Sequence, residues 1–257
     1  MGDLSGNVQK IIAAAAEAYA NGARLLLTPE LALCGYAAED LYLRPAFLEA
    51  CDAALQQLQQ ASVQWPGLAL VIGHPQRDAQ GEKLFNAASV LRDGQQIARY
   101  FKQLLPNFGV FDEQRYFAAG EESCVFELEG IQIGLLICED AWHAGPARAA
   151  VAAGAQLLAV INASPFHSGK PLEREAVIAQ RAMENAVPLV YAHLVGGQDE
   201  VVFDGCSFAV DASGQVSARA AAFEEELPMV AAQLVDGYVT LMGQVKPQLN
   251  HHHALWS

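Results

Sequence analysis

Two apolar patterns alternate along the first third of the chain. Val8 to Ala20 places Ile11, Ile12, Ala15 and Tyr19 on one face at helical spacing, with Asp3, Ser5 or Asn7 available as a cap and Asn21-Gly22 as the stop. Arg24 to Thr28 and Leu68 to Gly73 are instead short and almost unbroken apolar runs, the pattern of strands buried on both faces. The first of these runs stops at Pro29 and delivers Glu30, and between the two Pro45 opens a helix expected to reach Leu58.

From Phe85 the pattern changes to paired strands. Ala88 to Leu91 and Ile97 to Phe101 flank Asp93-Gly94, a dipeptide suited to a two-residue hairpin turn, and the second arm runs into Lys102. Val125 to Leu128 turns at Glu129-Gly130 into Ile131 to Ile137, which ends abruptly at Cys138-Glu139-Asp140. Further on, the pattern predicts helices over Pro146 to Ala153 and Leu172 to Asn185, with buried strands over Leu157 to Ile161 and Leu189 to Leu194. Hairpin strands are expected over Val201 to Val210 and Val216 to Ala218, and a last strand over Val230 to Leu234. Mixed sheets flanked by helices, with no repeat and no low-complexity linker, predict a single α/β (α+β) domain. A helix stands first where such a fold is expected to begin with a strand, so a first strand is expected to be missing.

Composition narrows the functional classes. Of 257 residues 53% are hydrophobic and 17% charged, enough material for a core and unlike a disordered chain. Fifteen Lys and Arg against twenty-nine Asp and Glu give a formal charge of −14, the wrong sign for tracking nucleic acid or an anionic membrane. The longest apolar runs fall far short of the roughly 20 residues of a membrane span, and no basic n-region precedes one, so the expected compartment is the cytoplasm. Five cysteines without a CxxC pair or metal-like spacing to histidine predict neither a disulfide framework nor a metal site.

Three polar residues stand where apolar strands stop: Glu30, Lys102 and Cys138. Strand ends are where α/β sheets bind ligands, and a cysteine nucleophile needs a proton acceptor and an oxyanion-stabilising donor, roles that Glu30 and Lys102 can fill. Cys34, Cys51, Cys124 and Cys206 read as small core residues, and His167 and His193 as structural ones. Whether Lys102 lowers the Cys138 pKa or the neighbouring acids raise it is open at this level.

The segments TPELALCGY, YFKQLLPNFGVFDEQRYF and IGLLICEDAW around these three residues resemble, in order, the signature segments of the carbon–nitrogen hydrolase (nitrilase) superfamily. The resemblance implies an α-β-β-α sandwich and a Glu-Lys-Cys triad. GYAAEDLYLRPAFLEA, NASPFHSGK and LVGGQDEVVFDGCSF resemble, more narrowly, the glutaminase domain of glutamine-dependent NAD⁺ synthetases. That resemblance implies glutamine as substrate, residues 1–250 as the glutaminase domain without its first strand, and 251–257 as the start of a linker to a synthetase domain. ATP and Mg²⁺ would serve only that absent domain, with no cofactor for the glutaminase step, and the family implies a homo-oligomer. It further implies Glu113 as an additional acidic residue, and Tyr36, Phe108, Glu139, Ser164 and Phe166 as the substrate pocket. Phe108 departs from the family's usual tyrosine and keeps the ring without the hydroxyl donor. His251 to His253 read as surface linker. The rival expectations are a free-standing amidase acting on another small amide or nitrile, and a binding module whose catalysis has lapsed.

Overall fold

In the computed structural model, which describes residues 1–248, the unbroken apolar runs are strands whose alternate side chains enter two different cores. Along β2 (Ala69–Arg77), Ala69 and Val71 face a core shared between two sheets, whereas Leu70 and Ile72 face a core shared with helices. The same split recurs in β6 (Ile131–Ile137) and β7 (Leu157–Asn162), where Ile133, Leu135, Leu157 and Ala159 point inward and Leu136, Leu158 and Val160 outward. Burial on both faces removes any need for polar alternation, which is why these strands lack it.

One sheet has the order β1-β2-β3-β4, with β1 at Leu25–Leu27, β3 at Leu84–Arg92 and β4 at Gln95–Phe101. The other has the order β12-β11-β8-β7-β6-β5, with β5 at Val125–Leu128, β8 at Leu189–His193, β11 at Phe208–Val210 and β12 at Val216–Arg219. Helices α1 (Leu4–Ala20) and α2 (Pro45–Ala61) cover the outer face of the first sheet. The outer face of the second is covered by α3 (Glu139–Trp142), α4 (Ala144–Ala152) and α5 (Lys170–Asn185). The layers are therefore the expected α-β-β-α sandwich. Of the three candidate caps for α1, Asp3 acts, its Oδ1 accepting from Gly6 N–H at 2.9 Å, so the helix starts four residues before Val8.

Two departures from the expected strands have local causes. The run Val201 to Val210 is broken, because Gly205 and Cys206 both take positive φ (65° and 53°). The break separates β10 (Val201–Asp204), which pairs with β9 (Val195–Gln198), from β11. β13 (Val230–Val235) has an unexpected partner in β14 (Tyr238–Gly243) across Asp236-Gly237, whose φ values of 51° and 85° match a type I′ turn.

Between β1 and β13 lies a cavity of about 560 Å³ lined by Leu25, Leu27, Ile133, Leu157, Tyr191 and Val230, among others. Toward β2, Arg24 accepts from Ala69 N–H and Thr28 N–H donates to Val71. By alternation, the backbone groups of Leu25 and Leu27 point to the opposite edge, toward this cavity. His251 to His253 and the proposed linker lie outside the described residues. An N-terminal extension supplying one apolar strand beside β1 is expected to raise the melting temperature and reduce self-association, since it would pair an exposed edge. Thermal melts and light scattering of the two lengths check this, and equal melting of two monomeric forms would refute it.

Candidate active site

β1 and β4 run in the same direction through their shared sheet, so Glu30 and Lys102, just beyond their C-terminal ends, emerge on one edge. β6, β7 and β8 are parallel in the other sheet and bring Cys138, Ala163 and His193 to their own C-terminal ends. The two edges meet: Ala163 N–H, from the second sheet, donates to Glu30 Oε2 at 3.0 Å.

The centre is a buried charge cluster. Lys102 Nζ lies 2.7 Å from Glu30 Oε1 and 2.8 Å from Glu113 Oε1, and neither Lys102 nor Glu30 has any exposed surface. Asn86 Nδ2 donates to Glu30 Oε1 (2.7 Å), and Tyr36 Oη donates to Glu113 Oε1 (3.0 Å). Burial alone would depress the Lys102 pKa, but Glu113 and Glu30 together hold it well above its ordinary value, so the ammonium persists. Burial raises Glu113 to about 7 against the opposing pull of Lys102, so this carboxyl exchanges a proton near neutrality.

Cys138 sits at the turn from β6 into α3 with φ 47° and ψ −105°, a strained conformation for a residue with a Cβ, fixed by its N–H bond to Ile161 O (2.9 Å). The turn carries the chain from the strand into α3, whose first N–H groups, beginning at Glu139, have no intrahelical acceptor. The question left open by the sequence is decided by burial, which pushes the Cys138 thiol well up; Glu30 adds to the rise and Lys102 opposes it. The resting group is a neutral thiol, so attack requires a base at the moment of reaction.

Asp140, next to the cysteine, is turned away from it and organises the backbone. Its Oδ1 accepts from Gln103 N–H (3.1 Å) and Leu104 N–H (2.8 Å), and its Oδ2 from Tyr100 Oη (2.9 Å) and Ile137 N–H (3.2 Å). It thus ties the segment after Lys102 to the strand before Cys138.

The remaining pocket residues divide. Phe108 and Glu139 line an open cavity of about 570 Å³ with Leu104, Pro106, Gln114 and His143, and Glu139 pairs with His143 at 3.0 Å. Phe108 is 61% exposed, and none of Glu30, Lys102, Glu113 and Cys138 lines this cavity. Ser164 is buried, with Oγ 3.0 Å from the Asn162 carboxamide. Phe166 is not drawn into the cluster: its ring packs edge-on to Phe223 and its N–H donates to Val202 O. Sequence reasoning missed Asn86, although an amide in the apolar run of β3 was a signal, and it missed the tethering role of Asp140, which no spacing reveals. Among the described residues no group of three His, Cys, Asp or Glu could hold a metal, and no helix is long and apolar enough to cross a membrane.

Residues 1–240 match the carbon-nitrogen hydrolase family. The chain belongs to that family. It is 40% identical over 260 residues to a glutamine-dependent NAD(+) synthetase of Xylella fastidiosa, covering 100% of this chain and 47% of the relative. The chain thus spans about half the length of the curated relatives it matches. Among solved structures it is similar to glutamine-dependent NAD⁺ synthetase from Acinetobacter baumannii (TM-score 0.84, 31% identity, 97% of this chain and 46% of that one). It is also similar to the Nesterenkonia AN1 amidase of the nitrilase superfamily (TM-score 0.77, 32% identity, 86% and 82%), a mutant of which adds the acetamide moiety of fluoroacetamide covalently at its active-site cysteine.

Burial raises Asp140 to about 6 even with four donors around it. A carboxyl raised on folding favours the folded state fully below its unfolded pKa, and that contribution is lost as pH rises through about 6. Comparing the parent with Asp140→Asn by chemical denaturation, the stability difference is expected to move toward the variant by up to about 3 kcal/mol between pH 4 and 7. A pH-independent difference would refute this.

Proposed function

We propose that this hydrolase acts on the side-chain amide of glutamine through a Cys138 thioester. Two things support the reading: a buried lysine held between two carboxylates beside a neutral cysteine on a strained turn, and the likeness to glutamine-dependent NAD⁺ synthetases along the whole chain. Glu30 takes the Cys138 proton as Sγ attacks the carboxamide carbon. Lys102 and Glu139 N–H stabilise the resulting oxyanion. When the C–N bond breaks, Glu30 returns the proton to the departing nitrogen and ammonia leaves. Glu30 then deprotonates a water that attacks the thioester, glutamate is released, and the sulfur recovers its proton from Glu30.

Glu113 Oε2 is buried without a hydrogen-bond partner among the described residues, so it is free to meet the carboxamide of a bound substrate, accepting from its N–H when ionised and donating to its oxygen when protonated. Tyr36, Ser164, Glu139 and Phe108 are the pocket groups, with Phe108 contributing only its ring. In this reading the ammonia serves an ATP- and Mg²⁺-dependent amidation of nicotinic acid adenine dinucleotide, carried out by a synthetase portion outside this chain. The amidase likeness favours a second reading, hydrolysis of a short aliphatic amide, because this chain covers 82% of that protein.

Ammonia release from glutamine, set against release from acetamide and propionamide, separates the two readings, and glutamine is expected to be the better substrate. Cys138→Ala is expected to abolish turnover with folding intact, and a cysteine-directed glutamine antagonist is expected to add to Cys138. Labelling of Cys34 or Cys206 instead would overturn the nucleophile assignment. Lys102→Met and Glu30→Gln are each expected to lower kcat by about 10²-fold or more. A loss of tenfold or less at either position would refute its role.

A further inference from the structure

The two oxygens of Glu30 are held differently. Oε1 is held by Lys102 Nζ and Asn86 Nδ2, both at 2.7 Å, whereas Oε2 takes a single hydrogen bond, from Ala163 N–H at 3.0 Å. Oε2 therefore has the spare capacity to carry the shuttled proton, and the direction in which it points depends on the backbone at Ala163. That backbone leaves the end of β7 at Asn162, whose buried carboxamide lies 2.9 Å from His193 Nδ1 and 3.0 Å from Ser164 Oγ. The main chain of Asn162 is also held, its carbonyl accepting from Leu194 N–H at 3.1 Å.

Behind Asn162 stands a buried chain that the reaction does not use. His193 Nε2 is 3.2 Å from Asp204 Oδ1, and Asp204 is gripped by Arg174 through Nη2–Oδ1 at 2.8 Å and Nη1–Oδ2 at 3.2 Å. Arg174 is 1% exposed, and His193 and Asp204 have no exposed side-chain surface. Burying an arginine, an aspartate and a histidine costs more than an apolar cluster of the same volume would, so geometry rather than stability is the stronger account of them. The chain spans α5, the end of β10, the end of β8 and the end of β7, and it finishes one residue from the N–H that holds Oε2.

We infer that His193 is a positioning residue for the general base, anchored by Asp204 and Arg174, and that it acts through Asn162 and the Ala163 N–H on Glu30. The inference rests on the proposed function only in taking Glu30 as the base, and it does not depend on which amide is the substrate. A misplacement of about 1 Å in a reacting group can cost on the order of 10²-fold in rate, so loosening this chain should act on kcat rather than on binding.

The test uses the whole chain and two substitutions, His193→Ala, which removes the ring's contacts with Asn162 and Asp204, and Asp204→Asn, which keeps the shape and weakens the anchor. Active sites are counted by stoichiometric labelling of Cys138, and kcat per labelled site and KM are measured with glutamine and with acetamide. For His193→Ala, kcat per site is expected to fall by roughly 10- to 100-fold with KM within threefold, and for Asp204→Asn to fall in the same direction by less. A His193→Ala protein that melts earlier but keeps its kcat per site within twofold overturns the inference, because the residue is then only structural. So does a change confined to KM, which would confine the chain's influence to the Ser164 side of the pocket. If His193→Ala does not fold, Asp204→Asn decides alone, and an unchanged kcat per site overturns the inference. A parent that hydrolyses acetamide but not glutamine would defeat the substrate reading and leave the inference to be judged on acetamide. A parent that hydrolyses neither would defeat both.

Discussion

An ammonium with no exposed surface is the constraint around which the rest of the molecule is arranged. Removing Lys102 from water is tolerable only if opposite charge is held against it, and Glu30 and Glu113 do so at 2.7 and 2.8 Å. Two carboxylates around one cation would leave an excess negative charge in a dry site. Glu113, raised to about 7, relieves that excess by taking up a proton near neutrality. Holding three such groups within hydrogen-bond distance needs rigid supports from different directions: Glu30 follows β1, Lys102 follows β4, and Glu113 opens a short 3-10 turn (Glu113–Arg115) in the loop beyond Lys102, while β6 brings Cys138 to the same edge. Asp140 fastens two of those supports by binding the backbone after Lys102 and the backbone before Cys138.

The cysteine is governed by the same dry site. A thiol beside a lysine is often pictured as a ready thiolate, but here burial and Glu30 outweigh Lys102 and the proton stays on sulfur. The cation is thus better matched to the oxyanion that develops on the substrate than to the resting nucleophile, which is the differential that accelerates a reaction. Proton movement then falls to a carboxylate whose one oxygen is occupied and whose other has capacity to spare.

Much of the fold could be read from the sequence because the signals were local. Apolar runs bounded by polar stops placed β1, β2, β6 and β7, and Asp93-Gly94 and Glu129-Gly130 marked their hairpins. Asp236-Gly237 carries the same turn signal between apolar alternations, and the hairpin it forms extends one strand beyond the last one expected. The break at Gly205-Cys206 was harder, since alternation continues across it and only the two positive φ values interrupt the strand. Glu30, Lys102 and Cys138 were legible as strand-end residues. Asn86 showed only as an amide in an apolar run and Ala163 not at all, because their contacts with Glu30 join residues 56 and 133 positions apart.

The buried centre and the open cavity beside Phe108 and Glu139 obey different physics. In the centre Glu30, Lys102 and Glu113 are buried and share hydrogen bonds, so a substitution at any of them disturbs several partners at once. In the outer cavity Phe108 is mostly exposed and Glu139 pairs with His143, so residues can change without unbalancing the cluster. A hydroxyl lost at position 108 therefore leaves the Lys102 cluster as it is. In the proposed reaction, discrimination between glutamine and a smaller amide has to come from groups that meet the far end of the substrate, because the Lys102 cluster would act on the carboxamide that both have in common.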